Sequence, residues 1–222
     1  MRRLTLLAAL AAIAFAVLAV LVAAGQLTSI DQYAVRELMP GLDLPQESSP
    51  LVYSLVPLVD AGAETPIQVA MEVFTLPASA TISALLFLLG AWLLRRRGEA
   101  RLAVLSLGAL IVANAVELVV KTALERPALF AREGGLRLQT TAFDHAFPSG
   151  HAARALLVAA LCAFVWPRLG RLALAWALLT LPALELAAFH VPSDIVGGAI
   201  LALLLITLVR QEQALALARP RE

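Results

Sequence analysis

LAVLSLGALIVANAVELVVK, residues Leu102 to Lys121, is the stretch that decides the fold. From Leu102 to Val116 it carries no charge, and Glu117 and Lys121 arrive only at its end. A helix needs about 20 apolar residues to cross about 30 Å of hydrocarbon, and this run has that length. Working outward, five more runs share its character: Leu4 to Ala24, Val73 to Leu94, 147 to 167, 172 to 189, and 191 to 209. The run here at 102–120 is the third of six predicted spans. The first follows Met1-Arg2-Arg3 and is longer than the ~7–15 apolar residues of a cleaved signal, so it is read as a retained span. The expected architecture is an all-α, six-helix transmembrane bundle in a single membrane domain, residues 1–222, with long loops at 25–72 and 121–146.

Composition agrees. Of 222 residues 61% are hydrophobic and 15% charged, with a mean hydropathy of +0.86. A soluble domain is about half apolar and about a quarter charged, so these values exclude a disordered chain and argue against a soluble enzyme. A net charge of +1 gives no basic field for nucleic acid. The single cysteine, Cys162, lies inside an apolar run and is read as a buried, inert thiol. One cysteine rules out an internal disulfide framework and a cysteine-rich metal site.

Basic residues set the orientation. With the N-terminus in the cytoplasm, the inner segments hold Arg2, Arg3, Arg95, Arg96, Arg97, Arg101, Arg168, Arg171, Arg210, Arg219 and Arg221. The loop from Gly25 to Glu72 holds Arg36 alone against seven acids. The excess of arginine inside predicts cytoplasmic termini and a cell-membrane protein. Glu117, Lys121, His151, Arg154, Glu185, His190 and Asp194 then all fall at the outer ends of spans. Ionisable groups are costly in lipid and mark function by default; snorkelling and helix-end pairing are the structural alternative. Of the loops, Thr28 to Met39 has Ile30, Ala34 and Leu38 at helical spacing and suits the membrane surface. Leu51 to Val59 is apolar but too short to span and reads as a packed loop, with a re-entrant or interfacial cap as the alternative, and His145 reads as solvent-exposed.

Three outer segments carry the chemistry: Lys121-Thr-Ala-Leu-Glu-Arg126-Pro127, Phe147-Pro-Ser149-Gly150-His151, and His190-Val-Pro-Ser-Asp194. In this order, on a six-span chain, they resemble the type 2 phosphatidic acid phosphatase (PAP2) superfamily, the membrane branch of the fold shared with vanadium haloperoxidases. The resemblance covers roughly residues 70–210. It implies an integral membrane phosphatase acting on an amphiphilic phosphate or diphosphate, without metal or other cofactor. Membrane lipid is then a partner; the oligomeric state stays open. By resemblance His190 attacks phosphorus to form a phosphohistidine, Asp194 holds its other ring nitrogen, and His151 protonates the leaving oxygen and then activates water. Ser149 and Gly150 sit at a helix N-terminus, where free N–H groups point at an anion. Lys121, Arg126 and Arg154 are the candidate phosphate-binding cations.

The chain departs from the family at two places. The first motif usually ends in Arg-Pro where Ala128 and Leu129 stand, and the third carries Ser-Arg where Ala183 and Leu184 stand. Losing one preorganised donor typically costs ~10²–10³ in rate. Arg126 and Arg154 are the expected substitutes, with Glu185 pairing to one of them. Two other readings stay open: a catalytically impaired member that binds or moves lipid phosphates, and a channel or transporter, for which no repeat or broken midplane helix is visible. Isoprenoid diphosphate, phosphatidate and phosphatidylglycerophosphate are equally compatible with these residues.

Overall fold

The computed structural model describes residues 2–39, 66–133, 136–140 and 143–218. Leu51 to Val59 falls outside them. Apolar runs become helices because in hydrocarbon every backbone polar group must find its partner within the segment. Helix α1 spans Arg2–Ala23, and α2 spans Thr28–Tyr33 and continues as a π-helical turn, Ala34–Leu38. Then come α3 (Pro66–Thr75), a 3₁₀ turn (Leu76–Ala78), α4 (Ala80–Arg96), α5 (Ala100–Ala123), strands β1 (Leu129–Glu133) and β2 (Leu136–Thr140), α6 (Gly150–Val165), α7 (Gly170–Leu186) and α8 (Pro192–Ala218).

Among the described residues, four segments are long and apolar enough to cross a membrane: Arg2–Ala23, Val69–Arg96, Ala100–Ala123 and Pro192–Ala216. Their outward faces are apolar, with Leu6, Ile13, Val20, Leu88, Ile111 and Leu203 all exposed. That surface suits lipid, not water. Helices α6 and α7 are shorter, at 16 and 17 residues. Helix α6 is the central one. It packs against α4, α5, α7 and α8, and it is buried almost all round, including Ala152, Ala153, Ala155, Val158 and Ala159. Small side chains let neighbouring backbones approach closely. Below the level of the ionisable residues, Phe87, Leu94, Leu110, Leu157, Leu161 and Leu205 lie in one apolar core.

The helices alternate, so their ends gather in two sets. At one end Gln211 Nε2 donates to Thr5 Oγ1 at 3.2 Å, Arg101 Nη2 meets Glu212 Oε2 at 2.6 Å, and Arg97 donates to the carbonyl of Val165. The opposite end holds the C-terminus of α5, the N-termini of α6 and α8, the turn after α7, and α2.

Two departures from the sequence reading bear on that second end. The run Val73 to Leu94 is not one continuous helix. Pro77 lacks a backbone donor, and the chain turns through Leu76–Ala78 before Ser79 restarts the helix, its Oγ accepting from Ile82 N at 3.4 Å. That cap takes the donor which an unbroken helix would give to Ala78, so the Ala78 carbonyl is free for another partner. The second departure is the loop 121–146, which contains a two-stranded antiparallel hairpin. Leu129 pairs with Thr140 and Glu133 with Leu136.

Candidate active site

Chain reversals at one end of the bundle deliver the site. Lys121 and Glu117 occupy the last turns of α5. Helix α6 opens at Ser149, whose Oγ accepts from Ala152 N at 3.2 Å, an N-cap that places His151 in the first turn. Helix α7 is stopped just past Leu186 by Ala188, a non-glycine residue with φ of 58°. Its N–H returns to Glu185 O and that of Phe189 to Leu184 O, at 2.9 and 3.0 Å, a left-handed helix stop. His190 follows directly, and α8 starts two residues on. The α6 and α8 starts are tied together, since Ser149 N donates to the Asp194 carbonyl at 2.9 Å. Gly198 permits this approach: a Cβ there would run into the Ser149 carbonyl oxygen.

The rings of His151 and His190 stand 6.4 Å apart between centroids, tilted by 54°. In-line displacement at phosphorus needs its two reacting oxygen or nitrogen partners on opposite sides of the phosphoryl group, and the two rings are separated rather than in contact. Behind His190, Nδ1 faces Asp194 Oδ2 at 3.6 Å. This is longer than a hydrogen bond, and Nδ1 is buried with no hydrogen-bond partner among the described residues. Burial pushes the His190 imidazole below its ordinary value, against an opposing pull from Asp194.

The cations sit differently from expectation. Lys121 Nζ donates to Glu117 Oε1 at 2.8 Å. Arg154, expected to turn to the phosphate, instead gives Nη1 to Glu117 Oε2 at 2.7 Å and to Asn114 Oδ1 at 2.9 Å, and Nε to the freed Ala78 carbonyl at 2.8 Å. Glu117 therefore bridges two cations. Its carboxylate lies against Gly150, where any Cβ would collide with it. Arg126 does not lie loose in the loop. Its Nη1 meets Asp194 Oδ1 at 3.0 Å and its Nη2 meets Ser193 Oγ at 2.9 Å, while Nη2 also holds Asp31 Oδ2. Neither arginine is left to pair with Glu185, whose Oε1 is buried without a hydrogen-bond partner among the described residues. Leu184 is enclosed with Ala152 and Ile195 in an apolar cluster. His145, expected to be exposed, is half-buried, and its Nδ1 has no hydrogen-bond partner among the described residues.

Asp31 lies outside the motifs, and Ser193, inside the third, had been given no role. Asp31 is completely buried and accepts Ser193 N at 3.1 Å, Ser193 Oγ at 2.8 Å, and Arg126. A signal was available: an acid three and four residues before Ala34 and Val35, both buried on the same helix face. Among the described residues no group of three or more His, Cys, Asp or Glu is close enough to hold a metal ion.

The arrangement brings together two imidazoles, a carboxylate behind one of them, and three buried cations held by carboxylates. A solved structure described as the first transmembrane PAP2 type phosphatidylglycerolphosphate phosphatase from Bacillus subtilis shares the fold. The TM-score is 0.63 at 19% identity, covering 96% of this chain and 98% of that one. No curated protein matches. Residues 102–215, from the start of α5 to near the end of α8, match the sequence model of the PAP2 superfamily, and that span holds both histidines, Asp194 and Lys121; the chain belongs to the PAP2 superfamily.

Proposed function

We propose that this protein is a membrane phosphatase that hydrolyses a lipid phosphate or diphosphate through a phosphohistidine, with the site at the outer membrane face and both termini in the cytoplasm. The observation that carries the reading is the pair of imidazoles 6.4 Å apart, with Asp194 behind one of them. His190 Nε2 attacks phosphorus as the bond to the leaving oxygen breaks, and His151 gives that oxygen its proton. His151 then takes a proton from water. The oxygen of that water forms a bond to phosphorus, the P–N bond breaks, and inorganic phosphate leaves. Asp194 keeps the proton of His190 on Nδ1 and offsets the charge the ring gains.

The phosphate oxygens fall to Lys121, whose ammonium has three donors and spends one on Glu117, and to the N–H groups of Gly150 and His151 at the α6 N-terminus. Arg154 supports this seat by holding Glu117. A lipid substrate reaches a site at a bundle end with its tail still in hydrocarbon, which suits the apolar surfaces of the helices around it. Isoprenoid diphosphates, phosphatidate and phosphatidylglycerophosphate all satisfy this chemistry.

A second reading, a member that binds lipid phosphates with little turnover, is favoured by one observation. Lys121 and Arg154 share Glu117, Arg126 is held by two aspartates, and Leu184 replaces a cation with core packing. Phosphate release from a panel of lipid phosphates and diphosphates, by purified protein without added metal, separates the two. Release from at least one substrate supports the phosphatase; lipid binding without release supports the second reading.

A further inference from the structure

Asp31 lies outside the matched family region, yet its carboxylate is tied into the site. Its Oδ1 receives Ser193 N–H, and its Oδ2 receives Ser193 O–H and Arg126. Arg126 passes the connection on to Asp194 Oδ1 at 3.0 Å, while Asp194 Oδ2 faces His190. An Arg126–Asp194 pair alone would be neutral, leaving no net charge behind an imidazole that must become cationic. With Asp31 the cluster carries two carboxylates and one guanidinium, a formal charge of minus one. The planar fork of Arg126 also fixes the plane of each carboxylate it touches.

We infer that Asp31, acting through Arg126, is a positioning residue of the reaction: it restores the negative charge of the Asp194 cluster and keeps Asp194 Oδ2 directed at His190. The inference rests on His190 being the nucleophile. It gives α2 a role beyond lying on a membrane surface, because this helix closes the site by supplying a charge that the other motifs lack. The groups around the cluster are few. His190 faces Asp194 from α8, Lys121 and Glu117 from α5, and His151 from α6. Asp31 is near Arg126, Asp194 and Glu185 of α7, and Arg126 is near Asp144 of the loop before α6.

Signs make the inference testable. Removing a negative charge disfavours the imidazolium and lowers the pH at which His190 titrates; removing a positive charge raises it. The chain has three histidines, so ring-labelled histidine can be titrated by NMR in detergent micelles, with His190→Asn assigning the resonance. Asp31→Asn should lower the His190 midpoint by roughly half to one pH unit, and Arg126→Gln should raise it by a similar amount. The double variant Asp31→Asn/Arg126→Gln removes one charge of each sign and should return the midpoint close to the parent's. On a hydrolysed substrate the acid limb of kcat/KM should move with the midpoint, and kcat should fall about tenfold or more in Asp31→Asn with little change in KM. If Asp31→Asn does not fold, Arg126→Gln and the double variant decide. Unmoved midpoints, or shifts of one sign in both single variants, overturn the inference. A parent that releases no phosphate while the midpoints move as stated supports the charge coupling and defeats the phosphatase reading instead.

Discussion

The two ends of the bundle use the same ion-pair chemistry in opposite surroundings. At the arginine-rich end, Arg101 and Glu212 meet at 2.6 Å with side chains 47% and 44% exposed. At the site end, Arg154 and Glu117 meet at a similar 2.7 Å, but at 2% and 7% exposure. Distance does not rank these pairs; solvent does. An exposed pair is worth about 0–1 kcal/mol. Removing one partner of a buried pair strands a charge and costs about 3–5 kcal/mol. A chain in which buried charges gather at one end of the bundle is retaining them there for some purpose other than stability.

Mutations at the two ends sharpen this contrast. The largest effect is expected at Asp194. Asp194→Asn should lower turnover by about 10²–10⁴-fold with little loss of folded protein, because the amide keeps the volume and can still accept from Arg126. Turnover equal to the parent's would remove Asp194 from the mechanism. Next comes Gly150→Ala. The new Cβ meets the Glu117 carboxylate, so Lys121 and Arg154 lose their shared partner in its present place. The thermal midpoint in detergent and the turnover should fall together, with a stability loss of about 3 kcal/mol. A fully stable, fully active Gly150→Ala protein would show that Glu117 is not needed where it lies.

A third, smaller effect concerns pH. Burial lowers the His190 pKa below its ordinary value, so the ring stays neutral and nucleophilic as the pH drops through that value. The acid limb of kcat/KM should therefore lie below about pH 6.5, and a limb well above it would contradict the nucleophile assignment. The smallest effect belongs to the other end. Arg101→Gln should change stability by less than about 1 kcal/mol and leave turnover unchanged. A large loss there would erase the distinction between the two ends.

Much of this was legible in the sequence, for physical reasons that also explain what was not. Runs of about 20 apolar residues announce membrane helices because hydrocarbon tolerates little else, and the histidine motifs announce their family because they are local and ordered. Hydropathy averages over single residues, so it concealed the break at Leu76–Ser79 that frees the Ala78 carbonyl for Arg154. The hairpin had left its mark: Gly134-Gly135 joins Leu129–Glu133 to a second run in which Leu136 and Leu138 alternate with polar residues. Arg126 is the instructive case. Spacing along a loop says how far an arginine can reach, and it reads as a phosphate ligand on that basis. Which carboxylate it meets depends on tertiary packing, and Asp31 is 95 residues upstream. The third motif's missing arginine was visible as Leu184; that this leucine is enclosed by Ala152 and Ile195 was not.

Trapping the covalent intermediate tests the central claim most directly. The purified protein is mixed with a lipid phosphate labelled at its terminal phosphorus and quenched rapidly in alkali, in which phosphohistidine survives and phosphoserine does not. The account predicts label on the protein, acid-labile and mapped to His190, absent from His190→Asn and, with an aryl phosphate whose leaving group needs no proton, accumulated in His151→Asn, where the second step lacks its base. Phosphate release with no labelled protein at any quench time, or label retained in His190→Asn, would contradict it.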